Sequence, residues 1–157
     1  MSLFKEQNSK HMDYHVYTSQ QPADAEQLGH IVDFLSKHLE EYGDQREDIL
    51  KALEYALSDN PAQGGFILQA ERKGQTVGAV VINDTGMEGY IPEHILVYIA
   101  VHNGKRGEGI GRKMMQKAIE LTDGSIALHV EPDNPARILY EKLGFTNKYL
   151  EMRLHKP

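Results

Sequence analysis

Ile99-Ala100-Val101-His102-Asn103-Gly104-Lys105-Arg106-Gly107-Glu108-Gly109-Ile110-Gly111-Arg112-Lys113 joins an apolar run to a helical pattern through a glycine-rich turn. It opens on the end of Ile95 to Val101, a run almost wholly apolar or aromatic, as expected of a strand buried on both faces. It closes on a helix from about Gly109 to Thr122, with Ile110, Met114, Ala118 and Leu121 on one face. Glycines alternate at 107, 109 and 111 between them. Glycine permits close backbone approach and positive φ. The first amides of a helix lack intrahelical partners, and the macrodipole adds about half a positive charge there. Such a turn seats a pyrophosphate, and Arg106, Arg112 and Lys113 add formal charge.

Spacing excludes two other phosphate motifs. A P-loop needs Gly-Lys-Ser/Thr after its second glycine, but Ile110 and Gly111 follow Gly109. The dinucleotide fingerprint needs Gly-x-Gly-x-x-Gly after the first strand of a βαβ unit. Here the third glycine comes one residue early, and the turn follows the fourth strand. A plain helix cap would not require three alternating glycines with flanking cations.

Working outward, Asp13 to Thr18 alternates as a first strand would. Pro22 suits the first turn of a helix that carries Leu28, Ile31, Val32, Leu35 and Leu39 and stops at Gly43. Ile49, Leu50, Leu53 and Leu57 repeat the pattern up to Asn60-Pro61. Phe66 to Glu71 and Thr76 to Asn83 form a hairpin around Arg72-Lys73-Gly74-Gln75. Beyond the glycine turn and its helix come a buried strand, Ser125 to Val130, a short helix, Pro135 to Leu143, and a closing strand, Thr146 to Leu154. The order β-α-α-β-β-β-α-β-α-β describes a mixed α/β domain.

The 157 residues suit one domain, expected over 13–157, with 1–12 a disordered or cloning-derived lead-in. The net charge of -6 argues against nucleic acid as a partner, and no stretch is apolar enough for a membrane span. The absence of cysteine removes disulfides, thiolate metal sites and a Cys nucleophile. The eight histidines show no paired ligand spacing, so no metal is expected. A cytoplasmic location is the default expectation, and pairing with a second copy stays open.

A second motif joins the glycine turn. Ala136-Arg137-Ile138-Leu139-Tyr140-Glu141-Lys142-Leu143-Gly144-Phe145 resembles the Ala-x-x-Leu-Tyr-x-x-x-Gly-Phe segment of the GNAT superfamily of N-acetyltransferases. Arg106-x-x-Gly109-x-Gly111 resembles that family's acyl-CoA signature. The resemblance covers Phe66 to Leu154 well and the N-terminal helices in outline. It implies a largely antiparallel sheet flanked by helices, with acetyl-CoA as cosubstrate. It implies that the backbone at Ile99, Ala100 and Val101 pairs with the pantetheine arm. The turn Arg106, Gly107, Glu108, Gly109, Ile110, Gly111 and Arg112 would then wrap the pyrophosphate. Asn134 and Ala136 would lie beside the cofactor, and Tyr140 would protonate the departing thiolate.

The chain departs from the family pattern in two places. The usual Asn slot falls on Asp133, and Asn134 with a small shift is the better fit. The usual glutamate on the fourth strand is replaced by Ile95, Leu96, Val97 and Tyr98, leaving His94 and Tyr98, with Glu93 and His129, as substitute bases, or a water chain. The implied reaction is direct attack of an amine on the thioester, and a silent acyl-CoA sensor is the alternative. Residues 40–59 hold seven acids against two bases, which would favour a cationic amine.

Overall fold

The computed structural model describes residues 11–157. Five strands form one sheet in sequence order: β1 Asp13–Tyr17, β2 Gly65–Arg72, β3 Gln75–Asp84, β4 His94–Val101 and β5 Ile126–Leu128. The first four are antiparallel neighbours, and β5 joins β4 in parallel. The helices are α1 Ala25–His38, α2 Arg46–Ala56, α3 Ile110–Glu120 and α4 Ala136–Lys142, with 3-10 turns at Glu40–Tyr42 and Asn103–Lys105. None of these helices is long and apolar enough to cross a membrane.

Local chemistry accounts for most of the boundaries. Helix α1 begins at a capping box in which Asp24 and Gln27 satisfy each other's backbone amides, so Pro22 stays outside the first turn expected for it. The hairpin turn is Lys73-Gly74, both with positive φ (49° and 75°), which matches the right-handed twist of paired strands.

Helices cover both faces of the sheet. Ile31 and Leu35 of α1 and Ile49 and Leu53 of α2 pack on Ile67, Ala79 and Val81. Met114 and Met115 of α3 and Tyr140 of α4 pack on Leu68, Val80 and Ile82. Gly78 permits this second contact, because a Cβ there would stand 2.3 Å from the Met114 sulfur.

A bulge in β4 positions the site. Val81 pairs with Tyr98 but Ile82 pairs with Leu96, so Val97 is an extra residue on β4. One inserted residue sends the following side chains to the opposite face. Leu96 therefore packs with α3, while Tyr98 and Ala100 pack with α1 and α2.

Several expectations need correction. Strand β4 meets a packed layer on each face, as expected, but less completely: only Leu96, Tyr98 and Ala100 are buried, and one of its edges faces a cavity. Strand β5 spans three half-buried residues rather than the expected six. The closing strand over Thr146 to Leu154 does not form, and Leu150, Met152 and Leu154 stand exposed. An alternating segment becomes a strand only where an edge pairs with it, and the short β5 has none engaged beyond β4. Of the expected lead-in, residues 1–10 lie outside the described residues, whereas Met12 is buried in the core.

Candidate active site

Strands β4 and β5 pair only from His94 to Leu96 against Ile126 to Leu128. Pairing ends where the Val97 bulge begins, and a cavity of about 280 Å³ opens between the strands. The side of β4 away from β3 is left without a strand partner from Val97 to Val101. A parallel ladder interrupted this way exposes amides and carbonyls that must find other acceptors and donors.

Tyr140 enters the cavity from α4 and is itself only 7% exposed. Burial pushes its pKa up to about 12, so the phenol keeps its proton across the physiological range. The Phe145 ring meets it edge-on at 5.9 Å and fixes its orientation. Asn134 lies on the cavity wall, where its Oδ1 accepts from the Ala136 amide at 2.9 Å and starts α4. Asp133 does not line the cavity; its carbonyl accepts from the Tyr42 hydroxyl.

The substitute bases fall into two groups. Tyr98 and His129 line the cavity. His94 does not: its Nδ1 sits 2.8 Å from the Asp84 carboxylate, and its Nε2 meets the Asp123 carbonyl. Glu93 accepts from the Ser125 and Gly89 amides, which hold its carboxyl below the usual range and assign it to bracing a loop.

Asp44, at the end of the link between α1 and α2, takes a hydrogen bond from the Tyr98 hydroxyl and lines the same cavity. Burial first, then Asp44, raises the Tyr98 pKa far above that of free tyrosine. The sequence marked Asp44 only as one acid among seven, and nothing local distinguishes it. Arg153, from the unpaired C-terminal segment, also reaches the cavity.

The glycine turn lies at the far end of β4. Gly107 and Gly109 adopt φ of 84° and 79°, and a Cβ at either would meet nothing, so conformation rather than space demands glycine. Gly109 caps α3 without a side-chain bond, and the first intrahelical bond runs from the Lys113 amide to the Gly109 carbonyl. The amides of Ile110, Gly111 and Arg112 thus have no acceptor within the helix. No acid occupies that first turn.

The charges are arranged differently from the expectation. Arg106 donates to the His38 carbonyl at 3.0 Å and lies 3.5 Å from Glu40, so it ties the turn to the end of α1. Glu108 receives a 2.7 Å bond from the buried Arg72 and is thereby neutralised. Arg112 and Lys113 are exposed and form no ion pair among the described residues.

Comparison with known proteins agrees with this geometry. An aminoglycoside N-acetyltransferase, AAC(6')-Iy, solved with CoA, is 17% identical with a TM-score of 0.66, over 93% of this chain and 95% of that one. A predicted acetyltransferase from Clostridium acetobutylicum, solved with acetyl-CoA, is 20% identical with a TM-score of 0.63, over 91% and 96%. A transcriptional regulator from Bacillus halodurans C-125 is 18% identical with a TM-score of 0.65, over 93% and 100%. At such identities the likeness concerns the fold. No curated protein matches the sequence. The model of the acetyltransferase (GNAT) domain matches residues 63–147, more than half of the chain, and this protein belongs to that family.

Proposed function

We propose that this protein is an acetyl-CoA-dependent N-acetyltransferase that passes the acetyl group directly to an amine. The observation that carries the reading is the placement of the buried Tyr140, projected from α4 into the β4–β5 cavity, beside the strand that leads into the glycine turn. The turn suits a pyrophosphate, and the unpaired edge of β4 suits an amide-bearing arm. CoA and acetyl-CoA in two similar structures support the donor.

In this reading the neutral amine adds to the thioester carbonyl, and a β4 amide stabilises the oxyanion, a contribution of about 3 kcal/mol. Tyr140 then protonates the thiolate. Glu41 and Glu131 line a pocket that adjoins the cavity and shares Tyr42, His129 and Asn134 with it, which favours a cationic amine.

The lack of a carboxylate on β4 beside the cavity favours one second reading, an acyl-CoA sensor without turnover. Acetyl-CoA consumption against polyamines, aminoglycosides, amino acids and basic peptides separates the two. Thiol release with an amine and N-acetyl product by mass spectrometry is expected. Tight acetyl-CoA binding with no turnover on any amine would establish the sensor.

A further inference from the structure

The mechanism lacks a group to take the amine's proton, and the β4 bulge supplies one from a distant segment. We infer that Tyr98 and Asp44 act together as a proton relay, Tyr98 touching the acceptor nitrogen and Asp44 receiving the proton through it. The inference rests on the acetyltransferase reading.

Tyr98 follows the bulge at Val97, which turns its side chain toward α1 and α2, where the α1–α2 link brings Asp44. The Tyr98 hydroxyl donates to the Asp44 carboxylate, leaving the phenol oxygen's lone pairs for a donor in the cavity. Tyr98 is buried, whereas Asp44 is exposed and lines both the cavity and the pocket that adjoins it. A proton handed to Asp44 therefore has a path to water. Burial and the Asp44 anion hold the phenol protonated, so Tyr98 passes a proton on rather than keeping one. The other groups on these walls are Glu41 and Tyr42 of the turn, His129 and Glu131 beyond β5, and Arg153. Asp48 of α2 also acts on Tyr98 by charge. Among the described residues, Asp44 is the one carboxylate at the cavity bonded to a buried hydroxyl inside it.

The step balances. The amine nitrogen bonds to the thioester carbon, and the carbonyl pair moves onto oxygen. The nitrogen, now positive, gives a proton to the Tyr98 oxygen as the Tyr98 proton passes to Asp44. The carbon–sulfur bond breaks, the carbonyl re-forms, and sulfur takes the Tyr140 proton. Asp44 then loses its proton to water and Tyr140 regains one, so amine plus thioester yields amide plus thiol.

The test uses Asp44→Asn, Tyr98→Phe and Asp44→Ala in the full chain. Asn keeps an oxygen for the Tyr98 hydroxyl but cannot take its proton. A tether between link and strand would therefore survive Asp44→Asn, and a relay would not. Both Asp44→Asn and Tyr98→Phe should lower kcat about a hundredfold, the lower end of the usual range for general base catalysis. Acetyl-CoA affinity, melting temperature and KM for the amine should hold. Asp44→Ala should recover turnover with added small carboxylates, formate and acetate among them, and the recovered rate should rise with their basicity. Wild-type kcat in both Asp44→Asn and Tyr98→Phe would overturn the relay alone. A loss confined to KM would also overturn it and make Asp44 a counter-ion. If the wild-type protein binds acetyl-CoA but turns over no amine, the acetyltransferase reading falls and the relay with it.

Discussion

The two ends of β4 solve different problems with different materials. At the Val101 end, the glycine turn offers backbone amides, and its residues are contiguous from Arg106 to Arg112. At the Val97 end, the cavity is built from side chains of five separate segments: Tyr98, Asp44, His129, Tyr140 and Arg153. The turn needs only φ angles that one short sequence can impose. The cavity needs a bulge, a helix link and a diverging strand to be right together. A site made of backbone should thus respond to conformational substitutions, and a site made of side chains to chemical ones.

The largest effect expected is on the side-chain end. Tyr140→Phe should lower kcat by about a hundredfold or more, with acetyl-CoA affinity unchanged, since only the developing thiolate needs the proton. Because burial raises the Tyr140 pKa to about 12, its acid form persists well above pH 10, and kcat should show no alkaline loss from this group below that. Stopped-flow thiol release across pH checks both points. An alkaline limb near 10 that vanishes in Tyr140→Phe would show that burial does not control the group.

The backbone end should break under a purely conformational change. Gly109→Val places a branched residue at φ 79° and should cost ~1–2 kcal/mol of stability, with a larger loss of acetyl-CoA affinity. Gly111→Ala is the control: a Cβ there makes ordinary contacts of 3.4 and 3.5 Å with Leu139 and Val101. Calorimetric titration should find binding kept in the second variant. Equal loss in both would mean that room, not φ, matters at this turn.

A smaller effect should separate the charge of the two ends. Glu41 and Glu131 line the pocket that adjoins the cavity, whereas Glu40 is engaged with Arg106. The KM of a polycationic amine should rise as salt shortens the Debye length from about 10 Å at 0.1 M to 3 Å at 1 M. Glu41→Gln with Glu131→Gln should flatten that rise, while Glu40→Gln should not. Steady-state kinetics over a salt series measures it.

The smallest effect concerns the joint between α1 and the glycine turn. His38 is buried, its Nδ1 accepts from the Asn103 amide at 3.0 Å, and its ring lies 4.3 Å from that of His102. Burial, then His102, Lys37 and Arg106, lower its pKa below 6.5. The folded state therefore binds this proton less readily than the unfolded state. Stability from this group is full above pH 6.5 and falls as pH drops through the folded value. Urea melts of His38→Gln, which keeps an acceptor but does not titrate, should show a shallower acid slope than the parent.

The parts of this protein legible from its residues alone are those that depend on neighbours in the chain. The glycine spacing at 107, 109 and 111 encodes the turn, because φ preference belongs to the residue. The same holds for the Lys73-Gly74 hairpin and the helical spacing of Ile31, Leu35, Ile49 and Leu53. Tyr140 was legible because a ten-residue motif surrounds it. Packing of the sheet selects Val97 as the bulge, since any residue of the apolar run Ile95 to Val101 could be the extra one. That choice put Tyr98 on the face of α1 and α2 and singled out Asp44, 54 residues earlier, from its acidic neighbours. Tertiary structure also took His94 out of the cavity and left the alternating C-terminal segment unpaired. Alternation reports what a segment could pair with, and pairing is fixed by an edge that the segment does not contain.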